Sequence, residues 1–396
     1  MTHDPAGDTI TCLICGSGLL TPVAKPASVQ KGVTSDCKEW PGSGALLVCE
    51  SCGHVQKNVD GEWQRNASAI YAAYNIYHLS AGAEQVVFQG AEPIARSARL
   101  LGLLQTQLDL PQKGHLLDVG CGNGAMLRSA SQILPQWELA GHELNDTFRA
   151  EVEGIPNVTR FYSGALAEIQ ETYELITLLH VLEHVIDAVE FVQQLRKRLV
   201  PGGHIVIEVP YFPENPFDLV VADHCSHFIP ETLTHLAQRA GMEVVMATTS
   251  WLPKENSIIL RDPISDSKSE PVSNNYTLTL RTIKADVSWL GNLVEQALTI
   301  GPSSEFGIFG TALGGTWLGG TLGPDRFGFF VDEDSQRVGK LHLGKTVMRP
   351  ADVPAGKIVL LALPPPMAQR TYHRLHRDFP SVDFILPPAL QVEPPR

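Results

Sequence analysis

The segment Leu117-Asp118-Val119-Gly120-Cys121-Gly122-Asn123-Gly124 constrains the chain more than any other, because three alternating glycines separate an apolar run from a helical pattern. Glycines at a strand-to-helix turn let the backbone approach a ligand closely, and the helix N-terminus adds free N–H groups. Glu143 closes the next apolar run and can accept both hydrogens of a ribose diol. Strand patterns continue at 116–119, 138–144, 173–181 and 204–210, with helical patterns at 125–134 and 189–199. Pro201-Gly202-Gly203 reads as the stop of the latter helix and the turn into the next strand, and 230–241 reads as a helix with Pro230 in its first turn. Strands separated by helices imply a parallel sheet covered on both faces.

At 396 residues the chain is expected to hold two or three domains. Near its start, Cys12-Leu-Ile-Cys15 and Cys49-Glu-Ser-Cys52 are two knuckles, each able to present two thiolates to one tetrahedral ion. Four cysteines would close the sphere of a structural zinc, with Cys37 a bystander and His54 at the surface or in packing. A stretch at 265–275 reads as a linker, followed by an amphipathic helix through Leu278, Ile283, Leu290 and Leu298. Strand candidates at 306–310, 328–334 and 357–364 then form a second α/β unit. The expected domains are 8–75, 76–262 and 276–396. A formal net charge of -13 argues against a nucleic-acid surface, no apolar run approaches a membrane span, and the first residues lack a secretory pattern. Seven cysteines, an odd count without a signal, fit a reducing cytoplasm.

Two ligand classes compete for the glycine turn. The dinucleotide fingerprint is G-x-G-x-x-G, whereas Gly120, Gly122 and Gly124 alternate. DVGCGNG, Glu143, HVLEHV (180–185) and LVPGGHIVIEVP (199–210) together resemble the ordered motifs of class I S-adenosylmethionine-dependent methyltransferases. The resemblance implies a doubly wound α/β sheet. It also implies that Asp118, Gly120, Cys121, Gly122 and Gly124 hold the methionine end, Glu143 and Leu144 the ribose, Ala165 the adenine side, and that His180 lies near the sulfonium. The whole order, a zinc module, a methyltransferase core and a C-terminal Rossmann-like unit, resembles the three-domain bacterial sugar C-methyltransferases, which act on nucleotide-linked keto-deoxysugars. Gly307, Gly310 and Gly314 do not spell a dinucleotide turn despite Asp332 at a strand end, so the last unit is expected to pack, with contacts to the substrate's nucleotide.

Carbon methylation needs a base beside a carbonyl and a donor for the enolate oxygen. Ala222-Asp223-His224-Cys225-Ser226-His227-Phe228 offers Asp223 and His224. The related family carries Asp-Glu-His here, which places Asp223 on the orienting acid and His224 on the catalytic histidine. The acid is one methylene shorter, Val221 stands where the family can have tyrosine, and His227 falls where an aromatic is usual. Cys225 and Phe228 read as packing, and no second metal-ligand cluster is visible beside this stretch. By the same resemblance His184 donates to a substrate oxygen, and Tyr77 is a functional tyrosine, in competition with Tyr71 and Tyr74. The expected partner is a small molecule, a nucleotide sugar foremost, bound by a monomer or small homo-oligomer. Two alternatives stay open: O- or N-methyl transfer to a related metabolite, and a non-catalytic binding protein.

Overall fold

A computed structural model describes residues 10–74, 84, 86–89, 92–263, 273–301 and 305–391; Tyr77 and most of the expected 265–275 linker lie outside them. Short strands β1 (Leu20–Val23), β2 (Leu46–Cys49) and β3 (Val55–Lys57) pair antiparallel. Helix α1 (Gly61–Ala72) follows, started by the Asp60 side chain accepting the Trp63 N–H at 2.8 Å.

The middle of the chain alternates as its periodicity requires: α2 (Arg96–Gln107), β4 (His115–Val119), α3 (Ala125–Ile133), β5 (Glu138–Glu143), α4 (Arg149–Glu153), β6 (Val158–Ser163), β7 (Tyr173–Leu179), α5 (Ala188–Arg196) and β8 (Leu199–Pro210). A 3-10 turn (Pro216–Val220) then leads to β9 (Ser226–His227), which leaves this sheet and pairs antiparallel with β3. Helix α6 (Pro230–Arg239) returns the chain to β10 (Glu243–Thr248) and β11 (Glu255–Arg261). The seven-stranded order is β6-β5-β4-β7-β8-β11-β10. Adjacent residues of one strand feed opposite faces, as a doubly covered sheet demands. Leu117, Ile176 and Ile205 pack under α5 and α6, while Leu116, Leu175 and Val206 pack under α2 and α3.

The sheet is mixed rather than wholly parallel, since β11 runs antiparallel to both β8 and β10. Residues 249–254 between β10 and β11 are too few for a crossover helix, so the pair closes as a hairpin. The Pro201-Gly202-Gly203 turn is likewise absorbed: α5 stops at Arg196, β8 already pairs Leu199 with Tyr173, and the register shifts across the glycines before Leu175 meets His204. These residues form an irregularity inside a strand.

Helix α7 (Tyr276–Thr299) opens the last segment, followed by β12 (Phe306–Phe309), α8 (Leu313–Leu322), β13 (Phe329–Val331), β14 (Leu341–His342), β15 (Lys345–Met348), β16 (Ile358–Leu361), α9 (Pro365–Asp378) and β17 (Asp383–Ile385). Their sheet runs β14-β15-β13-β12-β16-β17 and is parallel except for edge strand β14. Phe217, Val220 and Val221 pack into one cluster with Val29 and Val33 from the N-terminal segment and Trp289, Leu290 and Trp317 from the last. The stretch 216–228 is therefore held between three parts of the chain. No helix among the described residues is long and apolar enough to cross a membrane.

Helix α8 docks so closely that a Cβ on Gly315 would overlap the Gly310 carbonyl oxygen. Gly315→Ala should lower stability by about 1–3 kcal/mol through overpacking. Gly102→Ala, in α2 with open space around it, should be neutral or stabilising by up to about 1 kcal/mol. Urea midpoints of the two variants against the parent protein check both.

Candidate active site

Four parallel strands end together around the switch point between β4 and β7, where an open α/β sheet leaves a crevice. Gly120, Gly122 and Gly124 have φ of +70°, +53° and +85°, a conformation only glycine adopts without strain. At Gly120 the need is double, because a side chain would also strike Val181. The Glu143 carboxylate accepts the Gly122 N–H at 2.6 Å and the Leu144 N–H at 3.1 Å, which ties the end of β5 to the glycine turn. Burial pushes the Glu143 carboxyl above its usual range. Asp118 is buried under the turn, accepts the Thr177 hydroxyl at 2.7 Å, and is driven by burial up to about 7.

The Cys121 side chain points into the core under α2 and α3, so it is the backbone of this residue that the turn presents. Leu144 is largely exposed beside Glu143, and Ala165 is exposed after β6, next to Gly164 at φ +96°. His180, at the tip of β7, has φ +57°. Its Nε2 meets the Arg96 guanidinium and its Nδ1 lies 3.3 Å from Glu183. Burial and then Arg96 hold His180 well below the usual histidine range, so it is neutral and accepts from arginine.

The second half of the site lies along 216–228. The expected Asp223–His224 pair does not form. His224 Nδ1 instead meets Asp218 Oδ1 at 2.7 Å, while Asp218 Oδ2 meets His227 Nδ1 at 2.6 Å. The cause is the 3-10 turn Pro216–Val220, which folds Asp218 back under both rings. Asp223 turns the other way, taking the Ser35 N–H at 2.9 Å and its hydroxyl, with His184 Nδ1 at 3.5 Å. Burial would raise the Asp218 carboxyl, but the two histidines hold it well below the usual carboxylate range. An ionised carboxylate only accepts, so both Nδ1 atoms carry hydrogen and the neutral ring of His224 has its lone pair on Nε2. His224 is raised above the ordinary histidine value: burial opposes this, and Asp218, with Glu183 and Asp223, outweighs it. Fully buried His227 goes the other way, to about 4, because burial there exceeds the pull of Asp218.

His184 packs edge-on against His224, ring centroids 4.7 Å apart, and burial holds it near a pKa of about 4. Its Nδ1 lies 3.0 Å from the Tyr71 hydroxyl and 3.1 Å from the Asp223 carbonyl. Glu183 is buried, neither oxygen accepts a hydrogen bond among the described residues, and burial raises it to about 7. Contrary to the expectation of no ligand-type cluster here, Asp218-His224-His227 and Glu183-His184-His224 each bring three such atoms within 4.8 Å. In the first group both carboxylate oxygens are already engaged by imidazoles, so the group is complete without an ion. Asp218 belongs to this cluster although the sequence did not single it out, and Tyr71, named only as a competitor of Tyr77, is the tyrosine that reaches His184. An acid six residues before a histidine in an irregular loop has no periodic signature.

The thiols of Cys12, Cys15, Cys49 and Cys52 all lie within 4.8 Å of one another and form no disulfide, with Cys12–Cys52 at 3.7 Å and Cys15–Cys49 at 3.4 Å. A tetrahedral zinc–thiolate site would space its sulfurs by about 3.8 Å. Cys37 is not part of this group, and His54 is fully buried with Nε2 3.2 Å from the Ser226 hydroxyl. Asp332, at the end of β13, is occupied by the Thr311 N–H at 3.0 Å and hydroxyl at 2.5 Å.

Comparison with known proteins agrees with the middle-domain geometry. Residues 94–247 match the family described as a methyltransferase domain. The dTDP-4-amino-2,3,4,6-tetradeoxy-D-glucose N,N-dimethyltransferase of Saccharopolyspora spinosa is 28% identical over 156 residues, 38% of this chain and 61% of that protein. Ribosomal RNA small subunit methyltransferase C of Serratia proteamaculans is 26% identical over 261 residues, 61% of this chain and 72% of that protein. Among solved structures, an S-adenosylmethionine-bound amino pentose methyltransferase of Micromonospora echinaspora aligns with a TM-score of 0.36 and 18% identity, covering 42% of this chain and 90% of that one. The chain thus spans under two thirds of the sugar dimethyltransferase it matches. The fold is the α/β Rossmann-like methyltransferase fold. The chain carries a class I S-adenosylmethionine-dependent methyltransferase domain.

Glu143→Ala removes the carboxylate that braces the turn. Binding of S-adenosylhomocysteine, read by calorimetry, should weaken by about 10- to 100-fold, the worth of one or two charge-assisted hydrogen bonds.

Proposed function

We propose that the protein transfers a methyl group from S-adenosylmethionine to carbon on a nucleotide-linked keto-deoxysugar, with His224 as the general base. The observation that carries this reading is the buried Asp218–His224 pair, whose geometry leaves His224 Nε2 as the free basic atom. The Gly120–Gly124 turn, Glu143 and the Gly164–Ala165 turn would hold the cofactor, with Asp118 supporting the turn from below. When bound, S-adenosylmethionine supplies an electrophilic methyl on sulfur.

The chain's own residues supply the proton chemistry. His224 Nε2 takes a proton from the carbon beside the substrate carbonyl, and Asp218 stabilises the imidazolium that results. His184 receives the Tyr71 hydroxyl on Nδ1 in one tautomer, which places hydrogen on Nε2 for donation to the developing enolate oxygen. Asp223 braces this arrangement with its carboxylate on Ser35, and its carbonyl lies 3.3 Å from the same Tyr71 hydroxyl. A nucleotide-sugar acceptor is supported by the relative named as a dTDP-aminosugar dimethyltransferase. The same name favours one second reading, methylation of a sugar amine, in which His224 would deprotonate an ammonium. The net charge of -13 favours a small-molecule acceptor over nucleic acid. A zinc ion at the four paired cysteines fits the sulfur spacings and serves structure, because four thiolates leave no open position.

Incubation of a nucleotide keto-deoxysugar in deuterium oxide without S-adenosylmethionine should exchange the hydrogen beside the carbonyl, detected by mass spectrometry. Exchange absent from the parent enzyme, or methyl found on nitrogen or oxygen, overturns carbon transfer. His224→Ala should abolish turnover and leave S-adenosylhomocysteine binding within about twofold.

The base must be neutral, so activity should rise with pH through the pKa of His224, and the acidic limb should lie above the usual histidine value. In Asp218→Asn the imidazolium loses its counter-charge. The limb should then move to lower pH and kcat fall by about 10²- to 10⁴-fold.

A further inference from the structure

The N-terminal segment reaches the 216–228 loop with a dense set of hydrogen bonds, and one residue supplies two of those that bear on the proton-transfer pair. Lys57 ends β3 and is fully buried. Its backbone N–H donates to the Cys225 carbonyl at 2.9 Å. Its Nζ donates to the Leu219 carbonyl and the Ser43 carbonyl, both at 2.6 Å. Leu219 follows Asp218 and Cys225 follows His224, so a single side chain and its own amide hold the neighbours of both members of the pair. A buried ammonium or amine answered by two carbonyls and no carboxylate is a costly choice if the need were only to fill space. Nearby contacts keep the loop's remaining backbone in register: Ala222 donates to Val33 O at 2.8 Å, and Trp63 Nε1 donates to Ala222 O at 2.9 Å.

We propose that Lys57 is the positioning residue of the proton-transfer pair, spanning Leu219 and Cys225 so that Asp218 meets His224 in hydrogen-bonding geometry. This rests on the reading of His224 as the base. The β3 strand that carries Lys57 follows directly on the Cys49/Cys52 knuckle, so the cysteine module is the frame from which the pair is set.

Lys57→Met keeps the amide and the aliphatic stem and removes only the two Nζ contacts. His224 sits among Asp218, His227, His184, Glu183 and Asp223, and its imidazole can be followed by NMR of 13C-labelled histidine, assigned with His224→Gln. Loosening Asp218 lowers the His224 pKa, whereas loss of a nearby cation alone would raise it. The expected result is a fall of about half a unit or more toward the ordinary histidine value near 6.5. With it, kcat should fall by about tenfold or more, while S-adenosylhomocysteine affinity stays within about twofold. Lys25→Met is the control. Lys25 also reaches Ser43 but not Leu219, and the His224 titration should not move in this variant.

An unchanged or raised His224 pKa in folded Lys57→Met overturns the positioning role. A lowered pKa with an unmoved pH–rate profile upholds it and sinks His224 as the base. Should Lys57→Met fail to fold, hydrogen exchange on the parent protein decides. The amides of Lys57, Ala222 and Cys225 should exchange as slowly as those of β4, and exchange as fast as an exposed loop overturns the proposal.

Discussion

Asp218 is a carboxylate buried between two imidazoles, and the 216–228 loop is arranged around that one group. Removing a carboxylate from water is tolerable only when every lone pair finds a donor in good geometry. Here each oxygen takes one Nδ1–H, and neither histidine can be withdrawn without leaving a buried charge uncompensated. A short irregular loop cannot hold such an arrangement by itself. The surrounding structure does so: β9 pairs with β3, Ala222 with Val33, and Phe217 and Val221 lie in a cluster shared with α7 and α8. The four-stranded N-terminal sheet is consequently not self-contained, since its last strand is contributed by the loop that carries the histidines.

The methyl-donor side is built on the opposite plan. Its parts are the ends of β4, β5, β6 and β7 and the turns that leave them, each made by residues close together in the chain. The Glu143 carboxylate bonded to the Gly122 N–H shows the economy of this design: one acid at a strand end braces the glycine turn beside the crevice. His180 shows its strain, a non-glycine residue at φ +57° held by Arg96 from α2 and Glu183 from the same turn.

This difference explains what could be read from the sequence. Gly120, Gly122, Gly124, Glu143 and the helix and strand patterns around them are local, and the fold of the middle segment follows from them directly. The mixed sheet direction was not legible because it depends on the length of one hairpin rather than on any periodicity. Cys121 lies in a legible motif, yet its side chain faces inward because helix packing, not the motif, decides its direction. Asp223 and His224 are adjacent in sequence, which suggested a pair. The chain turns at Ala222 and Asp223, so the carboxylate went to Ser35 and the histidine found Asp218. Tyr71 and Lys57 act from more than a hundred residues away, and nothing local to either marks the role.

The two halves meet at the tip of β7, where His180 faces the donor crevice and Glu183 and His184 face the loop. Five residues, 180–184, thus join the local crevice at the glycine turn to the non-local Asp218–His224 cluster. Glu183 is the hinge of that junction in electrostatic terms. Its carboxyl lies 3.3 Å from His180 on one side and within ligand distance of His184 and His224 on the other. Burial raises its carboxyl to about 7, against the pull of the His224 charge. A charge on His224 favours the ionised form of Glu183, so the two groups titrate together.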